Sequence, residues 1–246
     1  MKYTALIMAA QRPGEVNPLA ARENVSHKCL MDMDGAPMIL RVLRSLLDSE
    51  RVGEILICID DQTVLSALPE IAAELQTGRV KFVGAGDNLF ESVKLALTPE
   101  TRFPVLVTTA DNALQTGDMV DHFCDGFEAD GCDVGVSITP AETIWAKYPE
   151  GQRRPHKFRD GKYSNCNLFG LRSYNALGAA KAFEGGGQFG KNKQRVLQAF
   201  GVFNLLLYVS KMMTLKGTFE RISKRFGLKV SPIYMPFAEA PIDVDN

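Results

Sequence analysis

The sequence predicts a three-layer α/β fold, in which a mostly parallel β-sheet carries helices on both faces. Short apolar runs rich in Val and Ile alternate with helical patterns, and this alternation is typical of β–α–β units. Most of these runs have no polar face, as expected of strands buried on both sides. A chain of 246 residues, of which 46% are hydrophobic, can bury such a core. The predicted strands are Thr4–Met8, Glu54–Ile59, Val80–Val83, Val105–Thr109 and Asp133–Ser137.

Helical patterns fill the segments between these strands, and right-handed crossovers place them on the two faces of the sheet. They are Pro37–Leu47, Thr63–Leu75, Leu89–Leu97 and Asp118–Phe127.

The pattern changes after about Pro140. Without a repeat or a long linker, residues 1–246 are interpreted as one domain with a first part (1–140) and an elaborated second part (141–246). The second part is predicted to contain two short strands within Lys157–Arg172 around a turn at Asp160–Gly161, helices Gln194–Met213 and Leu215–Phe226, and a last strand Lys229–Met235.

Composition argues against several classes of protein. The formal net charge of −1 gives no support to a nucleic-acid or membrane-surface role. The five cysteines are odd in number and form no C-x-x-C pair, so neither a disulfide framework nor a zinc site is expected. Polar residues interrupt the apolar stretch Ala199–Leu215, which predicts a buried helix rather than a membrane span. No signal-peptide pattern is found at the N-terminus, so a cytoplasmic location is expected.

A long loop follows the first strand and has the properties of a phosphate-binding loop. Small residues at its start, Ala9 and Ala10, allow backbone N–H groups to approach a phosphate or a base edge. Arg12 and Lys28 add positive charge suited to a polyphosphate. In an open α/β sheet, ligands bind beyond the carboxyl ends of the strands, where this loop is expected to lie. Composition alone leaves an ordinary surface loop as the alternative.

The loop and the turn after it resemble the signature of the GT-A-type nucleotidyltransferases. That superfamily includes molybdenum-cofactor guanylyltransferase and the cytidylyltransferases for phosphocholine, inositol phosphate and methylerythritol phosphate. Its pattern is roughly an apolar strand, L-A-G-G-x-x-x-R, K-x-L and G-x-P-[ML]-[IL], and the corresponding segments here are Leu6–Arg12, Lys28–Leu30 and Gly35–Ile39. The two family glycines are Ala9 and Ala10 here, and alanine forbids the freest backbone angles. The resemblance implies a Rossmann-like, GT-A-type sheet.

The resemblance also assigns the nucleotide to the first part of the chain and the acceptor and C-terminal metal element to the second. A segment that opens the helix after the third strand is similar to the family segment that holds base and ribose. A helix cap is the alternative for Asp87 or Asn88. The nucleotide-binding residues implied are Ala9, Ala10, Gln11, Arg12, Lys28, Gly86, Asp87, Asn88, Ser92 and Asp111.

Acidic residues at two places resemble the metal ligands of the family. Asp111 follows the fourth strand, where the family has a metal-binding Asp in a D-x-P-[LF] setting, although Ala113 replaces the usual Pro. A cap for the helix starting near Gly117 is the alternative. Asp243 and Asp245 resemble the family element D-[IV]-D-T-P-E-D, whose acidic residue completes the metal site, and the register favours Asp245.

The second part of the chain resembles the family only in outline. Asn167 lies in a segment like the family strand whose buried Asn faces the acceptor, and a strand with a polar face is equally open. Gly185–Asn192 nearly fits the P-loop pattern, but Asn192 cannot supply the magnesium-binding hydroxyl and no strand precedes it. Lys191 is instead a candidate acceptor-binding residue at a helix start, or part of a solvated basic face.

The function implied is nucleotidyl transfer: an acceptor oxygen attacks the α-phosphate of an NTP in line, and pyrophosphate leaves. Mg²⁺ is the implied cofactor, held by Asp111 and Asp245 with Asp243 beside them. Lys28 is expected to stabilise the α-phosphate in the transition state and Arg12 to hold the β- and γ-phosphates. The expected partners are an NTP and a small-molecule acceptor, without nucleic acid, and a homodimer is left open.

Three alternatives remain beside this function. A GT-A glycosyltransferase would use a sugar nucleotide, although no clear D-x-D motif follows a middle strand. An NAD-dependent oxidoreductase would need a tight G-x-G-x-x-G turn, and this loop is far too long. A catalytically inactive nucleotide sensor is consistent with the alanines at 9 and 10.

Overall fold

The computed structural model of the chain describes residues 1–11, 14, 17–150, 155–183 and 212–244, without the side chains of residues 179–183. Strands in these ranges form one mixed sheet. They are β1 Tyr3–Met8, β2 Val52–Ile59, β3 Val80–Gly84, β4 Val105–Thr109, β5 Val134–Pro140, β6 His156–Phe158, β7 Gly161–Leu171 and β8 Val230–Tyr234.

The sheet has the order β3-β2-β1-β4-β7-β5-β8, and β6 pairs with β7. Strand β1 lies parallel to both β2 and β4, β2 is parallel to β3, and β5 is parallel to β8. Strand β7 is antiparallel to its neighbours β4 and β5. The predicted α/β class with a mostly parallel sheet is therefore confirmed.

Helices cover both faces of the sheet, as the residues of β1 illustrate. Ala5 and Ile7 belong to one core, with residues of α2 and α6, whereas Leu6 belongs to a second core, with residues of α5 and α8. No helix among the described residues is long and apolar enough to span a bilayer. The helices are α1 Pro18–Arg22, α2 Met38–Asp48, α3 Thr63–Ser66, α4 Pro69–Thr77, α5 Leu89–Ala96, α6 Gly117–Asp130, α7 Ala141–Lys147 and α8 Leu215–Phe226, and Lys28–Leu30 and Tyr174–Phe183 are 3₁₀-helical.

Two predicted elements differ from the structure. The single helix Thr63–Leu75 is wrong, because Leu68 has extended φ and ψ angles of −82° and 121° and separates α3 from α4. Leu68 precedes a proline, whose ring disfavours the helical conformation of the residue before it. The two strands predicted around the Asp160–Gly161 turn are present as β6 and β7, which pair antiparallel. Only the expected shortness of the second strand is wrong, since β7 is 11 residues long and lies inside the sheet.

Other differences concern the helices. Helices α1 and α7 were not predicted; α1 begins where the Asn17 side chain accepts hydrogen bonds from the backbone of Leu19 and Ala20. The predicted helix Gln194–Met213 lies outside the described residues except for its last two, Met212 and Met213, which are not helical.

The parallel strands bring three chain segments together at their carboxyl ends. Met8 at the end of β1 is in register with Cys58 in β2 and Thr109 in β4. The ladder continues one residue further, because the Ala9 N–H donates to the Cys58 carbonyl and the Ala110 N–H donates to the Met8 carbonyl. The segments that follow β1, β2 and β4 therefore begin side by side.

Candidate active site

An ion pair between Lys28 and Asp111 lies at this edge of the sheet. Lys28 Nζ is 2.8 Å from Asp111 Oδ2, and the Thr109 hydroxyl donates to Asp111 Oδ1 at 2.5 Å. The Lys28 and Asp111 side chains are 19% and 26% exposed, so a ligand can reach them from solvent. Residues separated by 83 positions in sequence thus form one charged centre, which the resemblance predicted only as two separate motifs.

The C-terminal segment crosses the sheet edge from β8 toward Asp111. After β8, the Thr139 hydroxyl donates to the Phe237 carbonyl, and the Asn167 side-chain amide donates to Asp243 Oδ2 at 3.1 Å. The Val244 N–H then donates to the Asp111 carbonyl at 3.1 Å. The structure therefore brings Asp111, Asp243 and Asn167 to one region, while Asp245 lies outside the described residues.

The carboxylates of this region suit a magnesium ion that accompanies a nucleotide. No group of three or more His, Cys, Asp or Glu that could hold a metal occurs within the described ranges. Mg²⁺ at such sites takes one or two carboxylates and completes its shell with phosphate and water. An ionised carboxylate has about four lone-pair sites, and the partners of Asp111 described above use one on each oxygen. Asp111 and Asp243 therefore fit the expected kind of donor set.

The loop after β1 accommodates alanine where the family has glycine. Among the described non-glycine residues, Asn24 and Asp34 have positive φ angles, and neither Ala9 nor Ala10 does. The two positions thus do not use the backbone conformations that only glycine adopts freely. Arg12 lies outside the described residues.

A group of four polar residues joins the two ends of this loop to the end of β2. The Gln11 N–H donates to Asp60 Oδ1 at 3.1 Å, and His27 Nε2 lies 3.3 Å from Asp60 Oδ2. The Gln11 side-chain amide donates to the Ser26 carbonyl at 2.7 Å, and the Ser26 hydroxyl lies 3.0 Å from His27 Nδ1. We call Gln11, Ser26, His27 and Asp60 the loop latch. Sequence reasoning missed its last three members, although Asp60 follows β2 much as Asp111 follows β4.

A second group, buried and neutral, holds the segment that carries Asp111. Gln115 Oε1 accepts from the Thr108 hydroxyl at 3.0 Å and from the Asn112 amide at 3.1 Å, and Gln115 Nε2 donates to the Ser45 hydroxyl at 2.9 Å. Every member is less than 10% exposed. We call Ser45, Thr108, Asn112 and Gln115 the polar hub; it was also missed, because no local pattern links α2 to this loop.

The segment Gly86–Ser92 forms a tight turn onto the N-terminus of α5. Asn88 Oδ1 accepts from the Glu91 N–H, so Asn88 is a helix cap, as the alternative interpretation predicted. The buried Ser92 hydroxyl accepts from the Gly86 N–H at 3.0 Å. A Cβ atom on Gly86 would lie 2.7 Å from the Glu91 Cβ, so the close approach requires glycine. Asp87 and the rest of this turn follow the carboxyl end of β3.

A cavity of about 370 Å³ lies beside the C-terminal segment, and Arg41, Leu114 and Asp243 are among its lining residues. It borders Asp243, but Lys28 does not line it. Apart from Asn167 and Asp243, the described part of the predicted site lies on the segments that follow β1, β3 and β4, with Ser92 in the first turn of α5. Lys191 lies outside the described residues.

Comparison with known proteins relates this arrangement to nucleotidyltransferases. Residues 7–193 match the model of the MobA-like NTP transferase domain. The curated 2-C-methyl-D-erythritol 4-phosphate cytidylyltransferase of Solibacter usitatus (strain Ellin6076) is 32% identical over 79 residues. The aligned part is 32% of this chain and 32% of that relative, so the match spans about a third of the relative's length.

Two solved structures share the fold. A hypothetical transferase from Thermus thermophilus aligns with a TM-score of 0.80 and 22% identity over 100% of this chain and 98% of that one. CMP:2-keto-3-deoxy-manno-octonic acid synthetase, complexed with CTP, aligns with a TM-score of 0.55 and 13% identity over 96% of this chain and 90% of that one.

Proposed function

The chain belongs to the MobA-like NTP transferase family, and from this premise we propose that it transfers an NMP unit from an NTP to a small acceptor and releases pyrophosphate. The acceptor is a small molecule with a phosphate or hydroxyl oxygen that attacks the α-phosphate. The observation that carries the proposal is the Lys28–Asp111 pair at the carboxyl ends of adjacent strands β1 and β4. It supplies a cation for the phosphate and a carboxylate for a metal ion at one point.

Lys28 has the central role in the proposed transfer. Its ammonium group stabilises the negative charge that increases on the α-phosphate oxygens in the transition state. In the structure that group binds Asp111 Oδ2, so a bound triphosphate must draw it from the carboxylate to the phosphate. Both partners are partly exposed, which leaves room for this exchange.

Asp111, Asp243 and Asp245 are the residues that would hold Mg²⁺. The ion, when bound with the NTP, would neutralise phosphate charge and favour departure of pyrophosphate. Asn167 fixes Asp243 through its amide, and the Val244 N–H ties the same segment to Asp111. A cation held between Asp111 and Asp243 would also offset the repulsion between their carboxylates.

The remaining predicted residues bind the two substrates. Arg12 holds the β- and γ-phosphates, and the backbone from Ala9 to Gln11 approaches the nucleotide. The turn Gly86–Ser92 contacts base and ribose, with Asn88 also capping α5. Asn167 and Lys191 face the acceptor. Residues 1–140 thus bind the nucleotide and supply Asp111, and residues 141–246 bind the acceptor and supply the C-terminal metal element, within one cytoplasmic domain.

The deciding experiment measures pyrophosphate release from each of the four NTPs, with Mg²⁺, against a panel of phosphorylated small molecules. Acceptor-dependent release from one NTP is the expected result. Turnover of a UDP-sugar without NTP turnover would identify a glycosyltransferase. Binding of an NTP without release in any combination would identify a nucleotide sensor.

A shortened chain tests the shared metal site. A protein that ends at Ile242 lacks Asp243 and Asp245 and should lose most turnover, because Asp111 alone would remain to hold the ion. Full turnover in that protein would contradict the shared site. Light scattering on the intact protein tests the homodimer that the sequence left open.

A further inference from the structure

The loop latch lies immediately beside Lys28, and of its members only Gln11 falls within the family signature. His27 precedes Lys28 and starts the short 3₁₀-helix Lys28–Leu30. The His27 ring is almost fully buried, whereas the Asp60 side chain is 42% exposed. Packing alone does not explain why an exposed carboxylate at a strand end orients both of its oxygens toward one loop. Here Oδ1 binds the first end of the loop and Oδ2 binds the last.

The hydrogen-bond chemistry fixes the His27 ring. An ionised carboxylate can only accept, so His27 Nε2 carries the proton and donates to Asp60. In the neutral ring, Nδ1 then accepts from the Ser26 hydroxyl, at 3.0 Å. The Ser26 carbonyl in turn accepts from the Gln11 amide. The four residues thus close a ring of contacts that sets the distance between the loop start and the residue before Lys28.

We propose that Asp60, acting through His27, is the positioning residue that holds Lys28 at the reacting phosphate. Asp60 touches neither Lys28 nor the reacting atoms; it fixes the short helix from which Lys28 extends to Asp111. This inference rests on the proposed function for its catalytic meaning, but the positioning can be measured without any substrate. Loss of the latch should displace the Lys28 amine from Asp111.

The first experiment measures how fast a small amine-reactive acylating reagent modifies Lys28, by peptide mass spectrometry. Lys81, which is 60% exposed, serves as the internal reference. In the parent protein Lys28 should react more slowly than Lys81. The ion pair with Asp111 holds a Lys28 side chain that is only 19% exposed, whereas the Lys81 side chain, although paired with Glu54, is 60% exposed. Asp60→Ala should raise the Lys28 rate several-fold and leave the Lys81 rate unchanged.

The matched control is Asp61→Ala. It removes the same charge one residue further on, where the side chain binds the backbone and hydroxyl of Thr63 instead of the loop. This variant should show the parent rate at Lys28. An equal increase in both variants, or no increase in Asp60→Ala, would overturn the proposal.

Two substitutions of His27 distinguish a specific positioning of Lys28 from a general increase in the flexibility of the loop. His27→Gln places an amide donor near the position of Nε2 and should keep Lys28 slow to react, whereas His27→Ala should behave like Asp60→Ala. The double variant His27→Ala/Asp60→Ala should react no faster than Asp60→Ala alone, because Asp60→Ala already removes the contact with His27. Should Asp60→Ala fail to fold, the His27 pair decides: equal Lys28 rates in these two variants would contradict the proposal.

Turnover gives the functional consequence. With the NTP and acceptor identified by pyrophosphate release, Asp60→Ala should lower kcat by about 10²-fold, the cost of misplacing a catalytic group by roughly 1 Å. His27→Gln should restore most of the rate relative to His27→Ala. If the acylation pattern appears but no NTP is turned over, the proposed function fails while the positioning stands. If turnover exists and the acylation pattern is absent, only the positioning fails.

Discussion

Lys28 and Asp111 form one ion pair, but the structure supports the two residues in different ways. The loop latch next to Lys28 contains a carboxylate that is 42% exposed. The polar hub behind Asp111 contains only neutral groups, and each of its residues is less than 10% exposed. The position of Lys28 therefore depends on the exposed charge of Asp60, and the position of Asp111 depends on the buried polar hub.

We infer from this difference that the loop latch affects mainly function and that the polar hub affects mainly stability. Exposed charged contacts contribute little to the free energy of unfolding, with a median of about 0–1 kcal/mol. Buried polar groups that lose their partners cost about 1–3 kcal/mol each. We therefore expect damage to the latch to appear mainly in turnover, and damage to the hub to appear mainly in unfolding.

The largest effect should come from the ion pair itself. Lys28→Ala should lower turnover by about 10²–10³-fold, the usual cost of removing one contact to developing charge. Steady-state pyrophosphate release measures it, and Lys81→Ala, which removes an exposed lysine paired with Glu54, is the control. Turnover within about threefold of the parent would contradict a transition-state role for Lys28.

A substitution in the hub should affect stability more than chemistry. Gln115→Leu leaves Thr108 and Asn112 without the acceptor they share, so it should lower the free energy of unfolding by roughly 3 kcal/mol. Urea unfolding measures it, with Gln62→Leu on an exposed turn as the matched control. Since the hub has no ionisable group, the loss should be equal at acidic and neutral pH. A stable variant would mean that the hub is not a structural support.

A third group of contacts, made by Glu239 on the C-terminal segment, should contribute less to the free energy of unfolding, and its contribution should depend on pH. A hydrogen bond from Lys147 holds the pKa of Glu239 below its ordinary value near 4.5, and Tyr148 donates to the same carboxylate. The depressed pKa means that the contact stabilises the fold above about pH 4.5 and is lost as the pH falls through the folded-state value.

Glu239→Gln should therefore lower the free energy of unfolding by no more than about 1 kcal/mol at neutral pH. The difference from the parent should shrink below pH 4.5, where Glu239 becomes protonated first in the unfolded parent, and should be lost once the pH falls below the folded-state pKa. Urea unfolding across this range measures the difference, and the control is Glu142→Gln on helix α7, the helix that ends at Lys147. A constant difference at all pH values would mean that the charge of Glu239 is not involved.

The smallest effect should come from a substitution of Lys191, which is a member of neither the loop latch nor the polar hub. Because Gly185–Asn192 is predicted not to be a P-loop, Lys191→Ala should change NTP affinity without acceptor by less than about twofold, the usual scale of a substitution that removes no binding contact. Calorimetric titration of the NTP measures it. Loss of NTP binding in a folded variant would restore the P-loop interpretation.

The sequence was sufficient to predict the first half of the fold, because the signals for its strands are local. Buried parallel strands are continuous apolar runs, and β1 to β5 follow such runs to within a few residues. Motif resemblance also selected Lys28, Asp111 and Asp243. The break before Pro69 was available from the sequence and was missed, since the residue before a proline is disfavoured in a helix.

Contacts between distant segments could not be predicted in this way. The polar hub joins Ser45 to Gln115, and the latch joins Gln11 to Asp60, through hydrogen bonds that exist only after the strands align. Likewise, no pattern in β7 indicates that it lies between β4 and β5. These features depend on strand order, which short sequence patterns do not specify.

The place of β7 in the sheet constrains the order in which the chain can assemble. Strand β5 precedes β7 in sequence but is separated from β4 by it, so β5 cannot join the first four strands until β7 has been made and inserted. During synthesis, β4 therefore presents an open hydrogen-bonding edge until residues 161–171 emerge from the ribosome. Strands β1 to β4 thus remain uncovered at this edge until β7 is synthesised. A nascent chain stalled between Thr109 and Gly161 should therefore be the form most in need of a chaperone.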